Sequence, residues 1–239
     1  FRLVSLAGGA KYNAITREAS AELVLSDSVS TSAFREAVRA EETVLRNEYA
    51  GTDPALSLTT KVVDSNEAAL TAESTEKVLG LMAALPYGVQ RMSADIEGLV
   101  ETSVNLGITE LSAETFTIKY SIRSSVATAF RAVVDKIEFV ASCFGASSAI
   151  HSVYPAWEYV RESAFRDEAA AIYRELFGKE LSVQAIHAGL ECGILSGKIK
   201  NLDAVSIGPD MKDIHTPEER LNIPSTKRVF DFVVKIIEH

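Results

Sequence analysis

Phe116-Thr117-Ile118-Lys119-Tyr120-Ser121-Ile122-Arg123-Ser124-Ser125 is the stretch from which the fold can be read. Phe116, Ile118, Tyr120 and Ile122 alternate with Thr117, Lys119, Ser121 and Arg123. A period of two puts the first set on one face of a strand and the second on the other, the pattern of a sheet with one buried side. Ser125 then offers an N-cap, and Phe130, Val133, Val134, Ile137, Val140, Ala141 and Phe144 recur at spacings of three and four. That recurrence predicts an amphipathic helix whose apolar stripe must find a surface to cover. A strand with one oily face followed by a helix with one oily stripe points to an α/β (α+β) fold, with helices on one face of an antiparallel sheet.

Working outward, Leu3–Leu6 and Ala21–Leu25 flank Gly8-Gly9 and predict a hairpin-like opening. Ser30, Thr31 or Ser32 caps a helix to about Tyr49, with Phe34, Val38, Leu45 and Tyr49 on one stripe. Residues 55–63 read as a strand. A helix over 75–85, capped by Ser74, stops at Pro86-Tyr87-Gly88, and residues 99–106 form the next strand. From Ser163 the texture changes: a helix over 165–177, a strand over 183–186, a short helix, and a buried strand over 204–207. This alternation predicts a parallel α/β sheet. Ser225 caps a last helix with a buried stripe of Val229, Phe230, Val233, Ile236 and Ile237. The expected division is residues 1–160 as one unit and 161–239 as the end of something larger. No solenoid repeat or low-complexity tract occurs.

The chain has 239 residues, enough for a substantial core, with 47% hydrophobic and 24% charged residues as in ordinary globular proteins. Its 24 Lys and Arg against 33 Asp and Glu leave a formal charge of −9. That balance argues against a general nucleic-acid binder and against attraction to an anionic membrane. Cys143 and Cys192 have no zinc-knuckle or disulfide-framework spacing, so a reducing cytoplasm fits best. No apolar run reaches the length of a spanning helix. The chain opens on Phe1 in a strand-like pattern, which reads as a cloning or processing boundary.

Few residues carry obvious chemistry. His187 and His215 follow predicted strands, where ligands gather in open α/β sheets. A neutral imidazole in the loop from Gly208 to Glu219 could bind zinc, with a nearby carboxylate orienting its second nitrogen. The same loop contains Thr216-Pro217-Glu218-Glu219, which matches a helix start or a shaped turn and needs no metal. His187 and Cys192 lack a third orienting group, so a Cys–His nucleophile is not indicated. Arg123 and Asn105 sit on polar faces of predicted strands; Arg offers a carboxylate a bidentate fork, while a solvated sheet face explains either residue alone. Gly8-Gly9 is by itself a turn signal, and no P-loop, dinucleotide fingerprint, zinc-protease helix motif or nucleophile elbow occurs.

Taken together, several segments resemble the aminoacyl-histidine dipeptidases of the co-catalytic zinc peptidase superfamily. The resemblance runs through Gly8-Gly9-Ala10-Lys11-Tyr12-Asn13-Ala14-Ile15-Thr16-Arg17-Glu18, Pro86 to Arg91, Val100 to Gly107 and Ser121 to Ser125. It continues through Tyr154-Pro155-Ala156-Trp157, Ile186 to Gly193, and Gly208-Pro209 to His215-Thr216-Pro217-Glu218-Glu219-Arg220.

That resemblance implies a lid domain inserted into an α/β catalytic domain holding two zinc ions, with cobalt or manganese as substitutes, in an enzyme hydrolysing dipeptides with C-terminal histidine. Residues 1–160 would be lid and 161–239 the C-terminal segment of the catalytic domain. By the same resemblance His215 is a zinc ligand, reversing the bland reading of its loop. Asn13 binds substrate, and Arg123 receives the substrate's C-terminal carboxylate. Asn105, His187 and Glu191 belong to the family's motifs and are counted with the substrate-binding residues. Thr16 stands where the family pattern has proline, which bears on how rigidly Asn13 is presented. The catalytic Glu and the remaining metal ligands are expected upstream of Phe1, so the chain reads as a fragment inactive alone, since one His cannot hold two zincs. The expected partners are a dipeptide and a second copy in a homodimer. Two other readings stay open: a sister amidohydrolase such as an acylase or desuccinylase, and a non-catalytic dimerisation or peptide-binding module.

Overall fold

The computed structural model describes residues 1–64, 67–112, 114–185, 190–214 and 216–239. The architecture is mixed α/β. A five-stranded sheet carries β1 (Arg2–Gly8), β2 (Ala19–Val24), β3 (Gly88–Met92), β4 (Val100–Leu111) and β5 (Phe116–Ser124). β1 pairs antiparallel with β2 and β4, β3 pairs antiparallel with β4, and β5 also pairs with β4. The helices are α1 (Thr31–Glu48), α2 (Ala72–Ala84), α3 (Ala127–Cys143), α4 (Ala164–Phe177), α5 (Glu191–Lys198) and α6 (Ile223–Glu238).

The chain divides into two compact units. One comprises Phe1–Tyr87, Asn105–Ser121 and Ile137–Ser147; the other comprises Gly88–Val104, Ile122–Lys136 and Ser148–His239. In the first, Leu3, Val78 and Leu111 form a buried cluster bordered by Leu6, Leu23, Leu70 and Phe116. This core exists because β1 and β4 bring Leu3, Leu6 and Leu111 against Val78 of α2. Burying each leucine contributes roughly 1.5–3 kcal/mol relative to exposure. In the second, α4 packs on α6 through Ala169, Ile172 and Phe232, with Tyr173, Phe177 and Ile236 beside them. Tyr173 meets Phe232 edge-on at 5.3 Å, a geometry aromatic quadrupoles favour.

Locally coded elements follow the sequence. The opening hairpin forms, β5 alternates between half-buried and exposed residues along most of its length, and α3 buries Val133, Val134 and Ala141. Burial also pushes the Tyr120 phenol above its ordinary pKa, and its hydroxyl has no partner among the described residues. Ser30 caps α1 by accepting from Ala33 N, and Ser163 caps α4 by accepting from Arg166 N. Two other caps lie one turn earlier than expected. Thr71, not Ser74, caps α2, and Asn222, not Ser225, caps α6. In both cases the expected residue donates its backbone N–H to the true cap, so both belong to one capping turn.

The structure corrects three strand expectations. Residues 55–63 form no strand: Val62 and Val63 are exposed, and Leu58 N donates to Glu42 Oε1 at 3.2 Å instead of to a ladder. Residues 183–185 and 204–207 are likewise unpaired, while Ile186 lies outside the described residues. An apolar run becomes a strand only beside another backbone, and among the described residues none is supplied. The parallel sheet expected after residue 161 is therefore absent among them; β6 (Met211–Lys212) and β7 (Arg220–Leu221) make a short antiparallel hairpin. The stripe of α6 is also rotated from the expected one. Phe232 is its buried aromatic, whereas Phe230 and Ile237 are exposed.

Among the described residues, no helix is long and apolar enough to cross a membrane.

Candidate functional site: a clasped loop, a strand-borne arginine and a hairpin loop

Asn13 lies in a tight turn after β1, closed by a hydrogen bond from Ala14 N to Lys11 O at 3.2 Å. The turn is laid over the middle of β4. Asn105 Nδ2 donates to Tyr12 O at 3.0 Å and to Ala14 O at 2.9 Å, the carbonyls on either side of Asn13. Both acceptors are carbonyls, which fixes which end of the Asn105 amide faces the turn. Farther along, the Thr16 hydroxyl reaches Leu106 O at 3.2 Å and Gly107 O at 3.3 Å. Proline, which the resemblance places at position 16, has no such donor. The approach is so close that a Cβ at Gly107 would collide with the Tyr12 backbone, and one at Gly9 with Gly107 O. Glycine at 107 is thus required by contact. The structure brings Asn13 and Asn105 together; Asn13 itself is exposed, and no hydrogen bond of its side chain occurs among the described residues.

Arg123 sits on the exposed set of β5, as the alternation predicts, and belongs to the second compact unit. The backbone beside it is tied to β4. Thr102, fully buried, shares a 2.9 Å hydrogen bond with the Ser124 hydroxyl, and Ser125 N donates to Glu101 O at 3.3 Å. Glu101 is buried as well, and Arg91 Nε lies 3.2 Å from its carboxylate. A buried carboxylate needs such a partner.

Glu191 opens α5 and is exposed in its first turn, where a carboxylate suits the helix dipole. The helix sits against the Tyr154–Trp157 segment: a Cβ at Gly193 would come within 2.9 Å of Pro155 O and 3.3 Å of Trp157 Cβ. Two stretches singled out in the sequence therefore pack on each other. His187 lies outside the described residues.

The loop between β6 and β7 is a turn, not a helix start. The Thr216 hydroxyl donates to Asp213 O at 2.7 Å and accepts from Glu218 N at 3.2 Å, while Arg220 pairs with Asp213 at 2.5 Å. The hairpin is moored to α6 by Ser225, whose buried hydroxyl donates to Asn222 O and accepts from Asp210 N at 2.8 Å. An open depression of about 650 Å³ is lined by Asp213, Thr216 to Glu219 and Arg220. His215 lies outside the described residues.

No family model matches the chain. A curated relative, the cytosol non-specific dipeptidase of Escherichia coli (strain K12), is 32% identical over 238 residues, covering 99% of this chain and 49% of the relative. The crystal structure of aminoacylhistidine dipeptidase from Vibrio alginolyticus superposes with a TM-score of 0.90 at 28% identity, covering 99% of this chain and 48% of that one. The chain is a homologue of these dipeptidases. It spans about half the length of the relatives it matches. Aminopeptidase PepT from Bacillus cereus ATCC 10987, at 21% identity and a TM-score of 0.55 over 68% of this chain, shares the fold.

For a dipeptidase homologue the donor set is informative. A metal centre of the kind the sequence resemblance implies needs about three protein ligands and an open position. Among the described residues no group of three or more His, Cys, Asp or Glu is placed to hold a metal ion. Asp213, near His215 in sequence, is occupied by Arg220. The described residues do not by themselves fit a zinc pair. What sequence reasoning missed is the support: Gly107, the Thr16 hydroxyl and the Thr102–Ser124 bond. The signal for the first was the Asn-Leu-Gly run at 105–107, but its partner lies some 90 residues away.

Proposed function

We propose that the polypeptide carrying this chain is a metal-dependent dipeptidase acting on dipeptides with C-terminal histidine. The observation that carries this reading is homology along 99% of the chain to one protein named a dipeptidase and, at a TM-score of 0.90, to another named an aminoacylhistidine dipeptidase. Arg123 receives the substrate's C-terminal carboxylate, since a guanidinium on the exposed face of β5 offers two parallel donors. Asn13, exposed at the tip of a pinned turn, holds the peptide. His187 and Glu191 are counted with the substrate-binding residues. His215 is a ligand to zinc, which supplies Lewis-acid polarisation of the scissile carbonyl when bound. Residues 1–160 act as the lid and 161–239 as the end of the catalytic domain. The setting is the cytoplasm, which the name of the Escherichia coli relative supports, and the enzyme works as a homodimer without nucleic-acid or membrane partners.

The test is a substrate panel on the full natural polypeptide: dipeptides with C-terminal histidine, other dipeptides and N-acyl amino acids, with metal content measured in parallel. Hydrolysis of histidine-terminated dipeptides, lost on chelation and restored by zinc, is expected. Arg123→Ala should raise KM and keep the metal, whereas His215→Ala should lose metal first. Turnover of N-acyl amino acids without dipeptides would overturn the reading.

A further inference from the structure

We infer that Asn105 is a positioning residue: it acts through Asn13, setting the backbone of that residue and thereby the direction in which its side chain is presented. The inference rests on the reading of Asn13 as a substrate contact and adds the residue that makes the contact geometric.

Three successive peptide planes surround Asn13, and each is held. The plane between residues 12 and 13 is held by its carbonyl, Tyr12 O, on Asn105 Nδ2 at 3.0 Å. The plane between 13 and 14 is held by its N–H, which donates from Ala14 to Lys11 O at 3.2 Å. The plane between 14 and 15 is held by Ala14 O on the same Asn105 nitrogen at 2.9 Å. Because only φ and ψ are soft along the backbone, fixing the planes on both sides of Asn13 fixes both of its dihedrals. Only the side-chain torsions stay free, in a residue that is exposed and whose side chain forms no hydrogen bond among the described residues. Ordering a rotamer-rich loop at the moment of binding would cost affinity, and ordering it beforehand removes that cost.

The chemistry selects asparagine. A primary amide has two N–H groups on one nitrogen, enough to serve two carbonyls. Aspartate has none and would set negative charge against two carbonyl oxygens. Serine has one donor and can serve a single carbonyl. With both N–H groups directed at the turn, the Asn105 amide nitrogen has none left for a substrate carboxylate. The supporting strand favours the clasp, because Asn105 stands mid-strand in β4, two residues before Gly107, whose missing side chain lets the turn lie directly on the strand. Thr16 adds a second strap from the far end of the loop.

The experiment uses the full natural polypeptide with Asn105→Ala, Asn13→Ala, the double variant and Asn105→Ser. Backbone hydrogen exchange and the kinetics of dipeptide hydrolysis are measured for each. Asn105→Ala is expected to speed exchange across residues 12–16 while leaving α4 and α6 unchanged. It should lower kcat/KM by about tenfold to a hundredfold, the scale of a small misplacement of a binding group. In the Asn13→Ala background it should cost nothing more, because the two residues act as one unit. Asn105→Ser should fall between wild type and Asn105→Ala, which keeps the test alive where the alanine variant fails to fold. Unchanged exchange in residues 12–16 overturns the clasp, and additive losses overturn its action through Asn13. If Asn13→Ala alone leaves turnover intact, the substrate-contact reading of Asn13 falls instead.

Discussion

The backbone N–H of Leu3 donates to the hydroxyl oxygen of Thr75 at 3.1 Å, joining β1 to α2 across 72 residues. The register of β1 against β2 slips between Leu3 and Ser5, and Leu3 O accepts from Leu70 N at 2.7 Å. Leu3 is 2% exposed and Thr75 4%. A buried N–H without a partner costs about 1–3 kcal/mol. Thr75→Val, which keeps the shape and removes the oxygen, should destabilise the chain by that amount in urea denaturation. A change under about 0.5 kcal/mol, ordinary for a neutral substitution, would show that water or a shift of β1 replaces the bond.

What can be read in the sequence is what is coded locally. The alternation of Phe116 to Ile122 and the three-four spacing from Phe130 to Phe144 report periods that a strand or helix imposes on its own residues. Both elements lie where those periods put them. Residues 55–63, 183–185 and 204–207 have strand-like composition but no ladder, because pairing depends on a second segment that no local pattern names. β3, with four of its five residues exposed, carries too little apolar signal to stand out as a strand. The candidate site divides in the same way. Asn13, Arg123 and Asn105 can be singled out by type and motif, but the bracketing of Asn13 by Asn105 joins residues about 90 positions apart.

Gly107 and Gly51 make a matched pair. At Gly107 an added methyl would strike the Tyr12 backbone, whereas at Gly51 nothing lies within 4 Å. Gly107→Ala must therefore push the turn off β4, and forcing volume into such a contact costs about 1–3 kcal/mol. Gly51→Ala should be neutral or stabilising by up to about 1 kcal/mol, since it only restricts the unfolded chain. Thermal unfolding of the two variants side by side checks the contrast, and equal shifts would show that the turn does not rest on the strand.

Asp203 ties the start of α4. Its Oδ1 accepts from the Ser163 hydroxyl at 2.6 Å and its Oδ2 from Phe165 N at 3.0 Å. These bonds favour the charged form, the Ser163 hydroxyl most, and hold the carboxyl below the ordinary aspartate range. The folded-state pKa thus lies below the unfolded value of about 3.9. Its stabilisation is complete above that value and is lost as the pH falls through the folded-state pKa. Asp203→Asn should remove this part of the acid dependence, leaving a flatter loss of helical signal below about pH 4 than in the parent chain. Identical slopes in circular dichroism would mean that Asp203 does not titrate with folding.

Phe230 and Phe232 separate the helix read by periodicity from the helix as it packs. The apolar stripe of α6 in the sequence includes Phe230, yet Phe230 is 67% exposed and Phe232 is 3% exposed, wedged against Ala169 and Ile172 and edge-on to Tyr173. Truncating a buried aromatic removes its transfer energy and leaves a cavity, together about 3–5 kcal/mol. Phe232→Ala should approach that loss in the 239-residue chain, while Phe230→Ala should stay within about 0.5 kcal/mol, as for a surface substitution. Measuring both by denaturant titration decides which residue carries the α4–α6 contact. A larger loss at 230 than at 232 would mean that α6 is rotated on its axis, returning the buried stripe to the one that periodicity predicts.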